Sequence, residues 1–413
     1  MYRKLDIAIP ALIFLFISIM LPSFPGLGMD NHCWEEWALY IHSNGLRNAY
    51  GSKTDYMPVY QYFLWLYAKV MGTDQAISAN IPYLRCITLA FDFSGVWYIF
   101  QWIDKRLAFF ALASVCILNI SYTYDTIIWG QLDGILSAMI FIALYYAWRG
   151  ANLWSTVWFV LALNFKMQAL IILPVWGLLF VNNCLTSRSS RQLLLPVGIA
   201  FVLQVIIFLP FITGRYGLDT VLHILTHSLN RNNAISVKAP NLWQLILPGT
   251  PDDLLFGDDS KVWRIGLTYK QAGFIFFFTS SFCALLPLIK QVLQNFSNNS
   301  RNVTIRRELI WATAALVYLL FYFFNTEIHE RYCHPAFIFI TAYAFYTGDF
   351  IVYILFSIAY FFTLEFSIQQ LRLHNYDTLI FSMRFLALFH TASIVYLFLK
   401  IRRHAALSFS PTI

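Results

Sequence analysis

Long apolar runs separated by short polar clusters recur along the chain. The runs show no strict period-2 alternation, and several exceed the roughly 17 residues that a helix needs to cross a hydrocarbon layer. Lipid offers no water to backbone N–H and C=O groups, so continuously apolar spans must be helices, whose hydrogen bonds close within the segment. The pattern predicts spans at approximately 7–24, 81–101, 106–122, 133–149, 152–165, 168–183, 191–214, 269–290, 308–325, 334–348, 349–367 and 378–400. Residues 57–71 are apolar but short, which fits a tilted span, a re-entrant piece or an interfacial helix. The first run follows Arg3 and Lys4 with no convincing small-residue cleavage site before Gly26, and reads as a retained anchor. The expected fold is therefore an all-α polytopic membrane protein of about twelve helices, give or take one, forming one domain over residues 1–413.

Charge orients the pattern. Twelve spans put both termini on one side, which then carries Arg3 and Lys4, Lys105 and Arg106, Arg188 and Arg191, Lys290 through Arg307, and Lys400 through Arg403, as the positive-inside bias requires. The opposite face collects residues 25–56, 123–132, 215–268, 326–333 and 368–377 together with the break at 166–167, and with them nearly all the acidic and unusual polar residues. The chain is 59% apolar and only 12% charged, which excludes a water-soluble globule. Its net charge of +7 lies in clusters between apolar runs, which points to a membrane surface and away from nucleic acid. Six cysteines stand singly with no CxxC pair, so neither a disulfide framework nor a structural zinc site is encoded.

Five polar clusters could carry chemistry. The first outer segment holds Asp30, Glu35, Glu36 and Asp55 beside the membrane, where carboxylates usually need a reason. The plain alternative is that Asp30 caps a helix holding Trp34 to Ile41. Trp129, Gln131 and Asp133 lie at the mouth of the next span, with Asp133 equally able to cap 134–149. Lys166 and Gln168 stand where one short apolar helix stops and another starts. A lysine there either snorkels to the interface or adds charge to a positive helix end, a combination that suits phosphate. The densest cluster is Glu327, His329, Glu330, Arg331 and His334: a structural salt-bridge group, or a site in which Arg331 offers a planar fork to an anion and His329 a proton or hydrogen bond. The loop with Arg231, Lys238, Asn241 and Trp243 could hold sugar or line a polar lid. Asp252, Asp253, Asp258 and Asp259 read as solvated turn acids, and no DxD, EF-hand or HExxH pattern appears.

Taken in order, these patches resemble the GT-C superfamily of membrane glycosyltransferases, nearest to the ER dolichyl-phosphate-glucose-dependent glucosyltransferases and to bacterial proteins related to GPI mannosyltransferase II. Asp30 with Glu36 and Trp37 looks like the family's first-loop acidic motif, and Asp55, Tyr56 and Pro58 are similar to its Asp-Tyr-Pro-Pro segment. Gly130, Gln131 and Asp133 stand in place of a Gly-His-Phe-Gln-type motif, without its histidine. Phe165, Lys166 and Gln168 resemble the Phe-Lys motif, and Asn241 and Trp243 an Asn-Phe-Trp patch. His329, Glu330 and Arg331 resemble a His-Glu-Lys motif with arginine replacing lysine.

The resemblance implies a GT-C-like bundle with long outer loops that transfers a hexose from a polyprenyl-phosphate-linked donor to a glycan or glycolipid acceptor. The residues agree: no strand–Gly-rich–helix unit offers to bind a nucleotide sugar, so the activated sugar would arrive attached to lipid. Asp30 is expected as general base, and Lys166, His329 and Arg331 as binders of the departing phosphate. Gln168, Glu330, Asp55, Gln131, Asp133 and Arg231 would orient these groups or the sugar. Such a site needs no metal or other cofactor. A bacterial inner membrane with a periplasmic site is expected, or else the ER with a lumenal one. Two further readings stay open: a secondary transporter, for which Arg85, Asp92 and Glu365 are the candidate charges near the midplane, and a polyprenyl-lipid flippase.

Overall fold

The computed structural model describes residues 2–24, 26–101, 119–187, 189–216, 219–220, 222, 224, 226, 233–255, 257–262, 266–297 and 305–408. About 78% of it is helical, and among the described residues extended chain forms only isolated bridges. It is an all-α membrane protein. Helices occupy most of the predicted runs: Asp133–Trp148, Asn152–Leu163, Arg191–Ile212, Tyr269–Ser297, Arg307–Phe324, His334–Thr347, Ile351–Ile368 and Met383–Ser408.

Length then sorts them. Among the described residues six are long and apolar enough to cross a membrane: Met167–Ser187, Arg191–Ile212, Tyr269–Ser297, Arg307–Phe324, Ile351–Ile368 and Met383–His404. A bent pair, Ala8–Ser23 with Gly28–Asn44 at 102°, makes a seventh if counted as one span. The expected twelve counted every apolar run. At 1.5 Å per residue, however, the 16 residues of Asp133–Trp148 extend about 24 Å and the 12 of Asn152–Leu163 about 18 Å, short of a ~30 Å hydrocarbon layer. The predicted span at 106–122 lies largely outside the described residues.

One segment expected as loop is a helix. Gly28–Asn44 runs through the first acidic cluster and buries Trp34, Trp37, Ala38 and Ile41, the i, i+3, i+4, i+7 stripe of an amphipathic helix whose other face is polar. Residues 57–71 form one helix, Pro58–Met71, with Pro58 at its first turn and Gly72 closing it at φ 75°.

The chain divides into two units. The first comprises Met1–Tyr146, Ala151–Leu170 and Ser189–Leu229. In it, Gly28–Asn44 packs on Pro58–Met71 through Trp34, Trp37, Tyr56 and Tyr60, whose rings meet mostly edge to face at 5.0–5.8 Å. Such contacts add to plain area burial. Asn152–Leu163 lies along Arg191–Ile212, joined by a reciprocal amide pair between Asn164 and Gln204 at 2.8 and 3.0 Å.

The second unit comprises Ala147–Gly150, Ile171–Arg188 and Asn230–Ile413. Its centre is Arg307–Phe324, buried without a break from Leu309 to Leu320 and packed by His334–Thr347, Tyr269–Ser297 and Met383–Ser408. A helix buried all round reads as a uniform apolar run. Gly273 permits the approach of Tyr269–Ser297, because a Cβ there would stand 2.6 Å from the carbonyl oxygen of Phe324.

Candidate functional site

In the first unit the Asp30 carboxylate is held from the side. Leu27, not Asp30, is the N-cap of Gly28–Asn44, and no side chain caps that helix. The side chain of Asp30 is therefore available elsewhere: its Oδ2 accepts hydrogen bonds from Trp129 Nε1 at 3.0 Å and from Gln131 Nε2. Both donors follow from one backbone irregularity. Residues Tyr124–Trp129 form a π-helical turn that ends at Gly130 with φ 90°, where the amides of Gly130 and Gln131 both bond the carbonyl of Asp125, at 3.0 and 2.9 Å. Single π turns widen a helix locally and commonly mark functional positions. Here the turn and its left-handed exit deliver Trp129 and Gln131 to one oxygen. Among the described residues Asp30 Oδ1 accepts no bond from protein, and Asp30 is partly exposed. An oriented carboxylate with one free oxygen can take a proton from a bound hydroxyl.

A second pair lies in the same unit. Lys166 Nζ stands 2.5 Å from Asp133 Oδ1, and Asp133 is fully buried while Lys166 is 15% exposed. Lys166 occupies the expected break between Asn152–Leu163 and the 3-10 turn Met167–Ile172, but it is paired there and does not simply snorkel. Asp133 is the first residue of its helix, and its Oδ1 accepts from Lys166. Gln168 lies in the 3-10 turn, partly buried. Asp55 lies in the extended chain before Pro58, where Gln61 Nε2 pins the flanking residues by donating to Thr54 Oγ1 at 3.1 Å and to the carbonyl of Tyr56 at 3.2 Å.

In the second unit the turn between Arg307–Phe324 and His334–Thr347 gathers the other expected residues. Glu330 is buried, with Oε1 3.4 Å from Arg331 Nη1 and Oε2 3.9 Å from His329 Nδ1, so one carboxylate faces both the guanidinium and the imidazole. The turn is strained and held: Glu327 adopts φ 58°. Its amide donates to Ala234 O at 2.8 Å, and the Val237 amide donates to Ile328 O at 2.9 Å. Lys270 forms an ion pair with Glu327 and stands 3.7 Å from Asp258, which also accepts from Thr326 Oγ1 at 3.1 Å. Burial pushes the Asp258 carboxyl above the usual carboxylate range despite the opposing Lys270 charge.

Several expectations change. Asp258 is buried and paired, not a solvated turn acid. Asp253 does stand in an exposed turn, where bonds from the Thr250 amide and hydroxyl hold its carboxyl below the usual range. Asn241 and Trp243 are buried and structural: Asn241 caps Leu242–Ile246, and Trp243 Nε1 donates to the helix-end carbonyl of Phe324 at 3.0 Å. Arg231 lies outside the described residues. Sequence reading passed over Lys270, although a lysine opening a long apolar run was a signal, and gave Trp129 no partner.

No family model matches the chain. Over 255 residues it is 24% identical to a Drosophila melanogaster protein named probable dolichyl pyrophosphate Glc1Man9GlcNAc2 alpha-1,3-glucosyltransferase. The similarity is to a glycosyltransferase. The match covers 55% of this chain and 48% of that protein, so the chain spans about half the length of the curated relative it matches.

Proposed function

We propose that the chain is an integral-membrane, inverting glycosyltransferase of GT-C type. It transfers glucose or mannose from a polyprenyl-phosphate carrier to a lipid-linked oligosaccharide or cell-surface glycan. The observation that carries this reading is the Asp30 carboxylate, oriented through Oδ2 by Trp129 and Gln131 with Oδ1 open to a substrate. The similarity to a glucosyltransferase of a dolichyl-linked oligosaccharide supports the substrate class. The short helices complete a bundle of about twelve membrane segments, and the chain works as one catalytic domain in a bacterial inner membrane or the ER.

In the proposed step Asp30 Oδ1 takes the proton of an acceptor hydroxyl. The acceptor oxygen bonds the anomeric carbon as the bond from that carbon to the phosphate oxygen breaks, and the polyprenyl phosphate leaves with the electron pair. One displacement inverts the anomeric centre. Lys166 is assigned to the charge that grows on the leaving phosphate, His329 and Arg331 of the second unit are assigned separately to anion binding, and no metal is assigned a role. Glu330 orients His329 and Arg331, Asp133 orients Lys166, and Asp55, Gln168 and Arg231 are assigned to the sugar. Incubation of the purified protein with labelled polyprenyl-phosphate glucose or mannose and a panel of lipid-linked acceptors tests the reading: a new glycosidic bond supports it. A transporter would draw on the buried Asp92, and would move the labelled lipid or sugar across the membrane without forming that bond.

A further inference from the structure

Arg85 opens the helix Arg85–Phe100 and is only 3% exposed. A buried guanidinium must spend its donors on well-placed acceptors. Its Nη1 donates to the carbonyl of Phe24 at 2.8 Å and to that of Ile127 at 3.1 Å. Phe24 precedes the Asp30 helix, and Ile127 lies inside the π turn that presents Trp129. The two strands of chain are also joined directly, by the Leu27 amide donating to Trp129 O at 3.0 Å.

Two glycines make room for this clamp. Gly26 has φ 72°, and a Cβ there would stand 2.5 Å from Arg85 Nη2 and 2.9 Å from Trp129 O. Gly130 has φ 90°, and a Cβ there would stand 2.9 Å from Arg85 Nε. Both positions need a left-handed backbone and space for the guanidinium, and glycine meets both requirements.

We infer that Arg85 is a positioning residue for the proposed base: by bridging Phe24 O and Ile127 O between Gly26 and Gly130, it fixes the register in which Trp129 and Gln131 reach Asp30. It touches no substrate. This rests on the reading of Asp30 as base for sugar transfer. Loss of the register would misplace a reacting group by a fraction of an ångström to an ångström, enough to cost on the order of 100-fold in turnover.

The test uses the full chain in nanodiscs, labelled with 5-fluorotryptophan. The Trp129 fluorine resonance is assigned by its absence in Trp129→Phe, and sugar transfer is measured with polyprenyl-phosphate glucose and mannose. Arg85→Lys is expected to shift the Trp129 resonance toward its position in Asp30→Ala, which removes the acceptor, and to lower kcat about 100-fold with donor KM within about threefold. Gly26→Ala, which presses on the guanidinium from the other side, is expected to give the same shift and the same loss. An unmoved Trp129 resonance in folded Arg85→Lys and Gly26→Ala overturns the clamp, as does a shifted resonance with unchanged kcat. The spectroscopic arm stands apart from catalysis: turnover retained by Asp30→Asn would defeat the base assignment, while the resonance would still report whether Arg85 holds Trp129.

Discussion

At the residue scale, the base assignment turns on what Asp30 touches. Asp30→Asn keeps the size of the side chain and an oxygen for Trp129 and Gln131 to bond, yet cannot accept the acceptor's proton. General-base removal costs about 100- to 10,000-fold, so we expect a kcat loss in that range with a melting temperature close to wild type, measured by transfer assay and thermal unfolding in detergent. Asp258 makes a prediction of a different kind. Burial raises its carboxyl above the ordinary value, so the folded chain holds that proton more tightly than the unfolded one. Its stabilising contribution is fully present below the unfolded value, about 4, and is lost as pH rises through the native value. Asp258→Asn lacks that slope, so its melting temperature relative to wild type should climb from pH 4 to pH 7; a difference constant over that interval contradicts the account. Neither contact was legible in the sequence. Asp30 and Gln131 are 101 positions apart, and nothing local to residues 258, 270 and 327 announces that they meet.

At the element scale, helix ends were legible and helix partners were not. The turn between Arg307–Phe324 and His334–Thr347 was expected within a residue or two, because Pro335 suits a first helical turn and five ionisable groups interrupt the apolar run. Gly28–Asn44 was expected as loop with a short helix inside it, since its buried stripe carries two tryptophans among polar neighbours and its apolar content is low. The break at Lys166 was visible, but Asp133 was left open between a helix cap and an orienting role, with no tie to Lys166. That pairing yields a test: Lys166→Met leaves a buried carboxylate and should cost about 3 kcal/mol, which Asp133→Leu in the same chain restores. Donor use should stay impaired in the refolded double variant; recovery of donor use along with stability would leave Lys166 a purely structural role. Gly273 sets a helix approach, and Gly273→Ala should lower stability by about 1–3 kcal/mol by driving a methyl against the Phe324 carbonyl, read as a fall in melting temperature.

At the scale of the whole molecule, the unbroken apolar runs decided the class of fold, and length limited the count of crossings. Among the described residues six helices, or seven with the bent pair, meet the length of a bilayer, because an apolar run of 12 to 16 residues is a helix before it is a span. Function was legible only as a sequence of short polar patches, and it is the order of those patches, with the similarity over 255 residues to a glycosyltransferase, that motivates the proposal. The most direct measurement follows radiolabelled polyprenyl-phosphate hexose in nanodiscs containing wild-type protein or Asp30→Asn, with lipid-linked oligosaccharide acceptors. The account predicts that wild type forms a labelled, anomerically inverted glycoside and releases one polyprenyl phosphate per bond made, and that Asp30→Asn, equally folded, forms essentially none. Equal product from the two proteins, or labelled lipid moved across the bilayer with no glycoside formed, would contradict it.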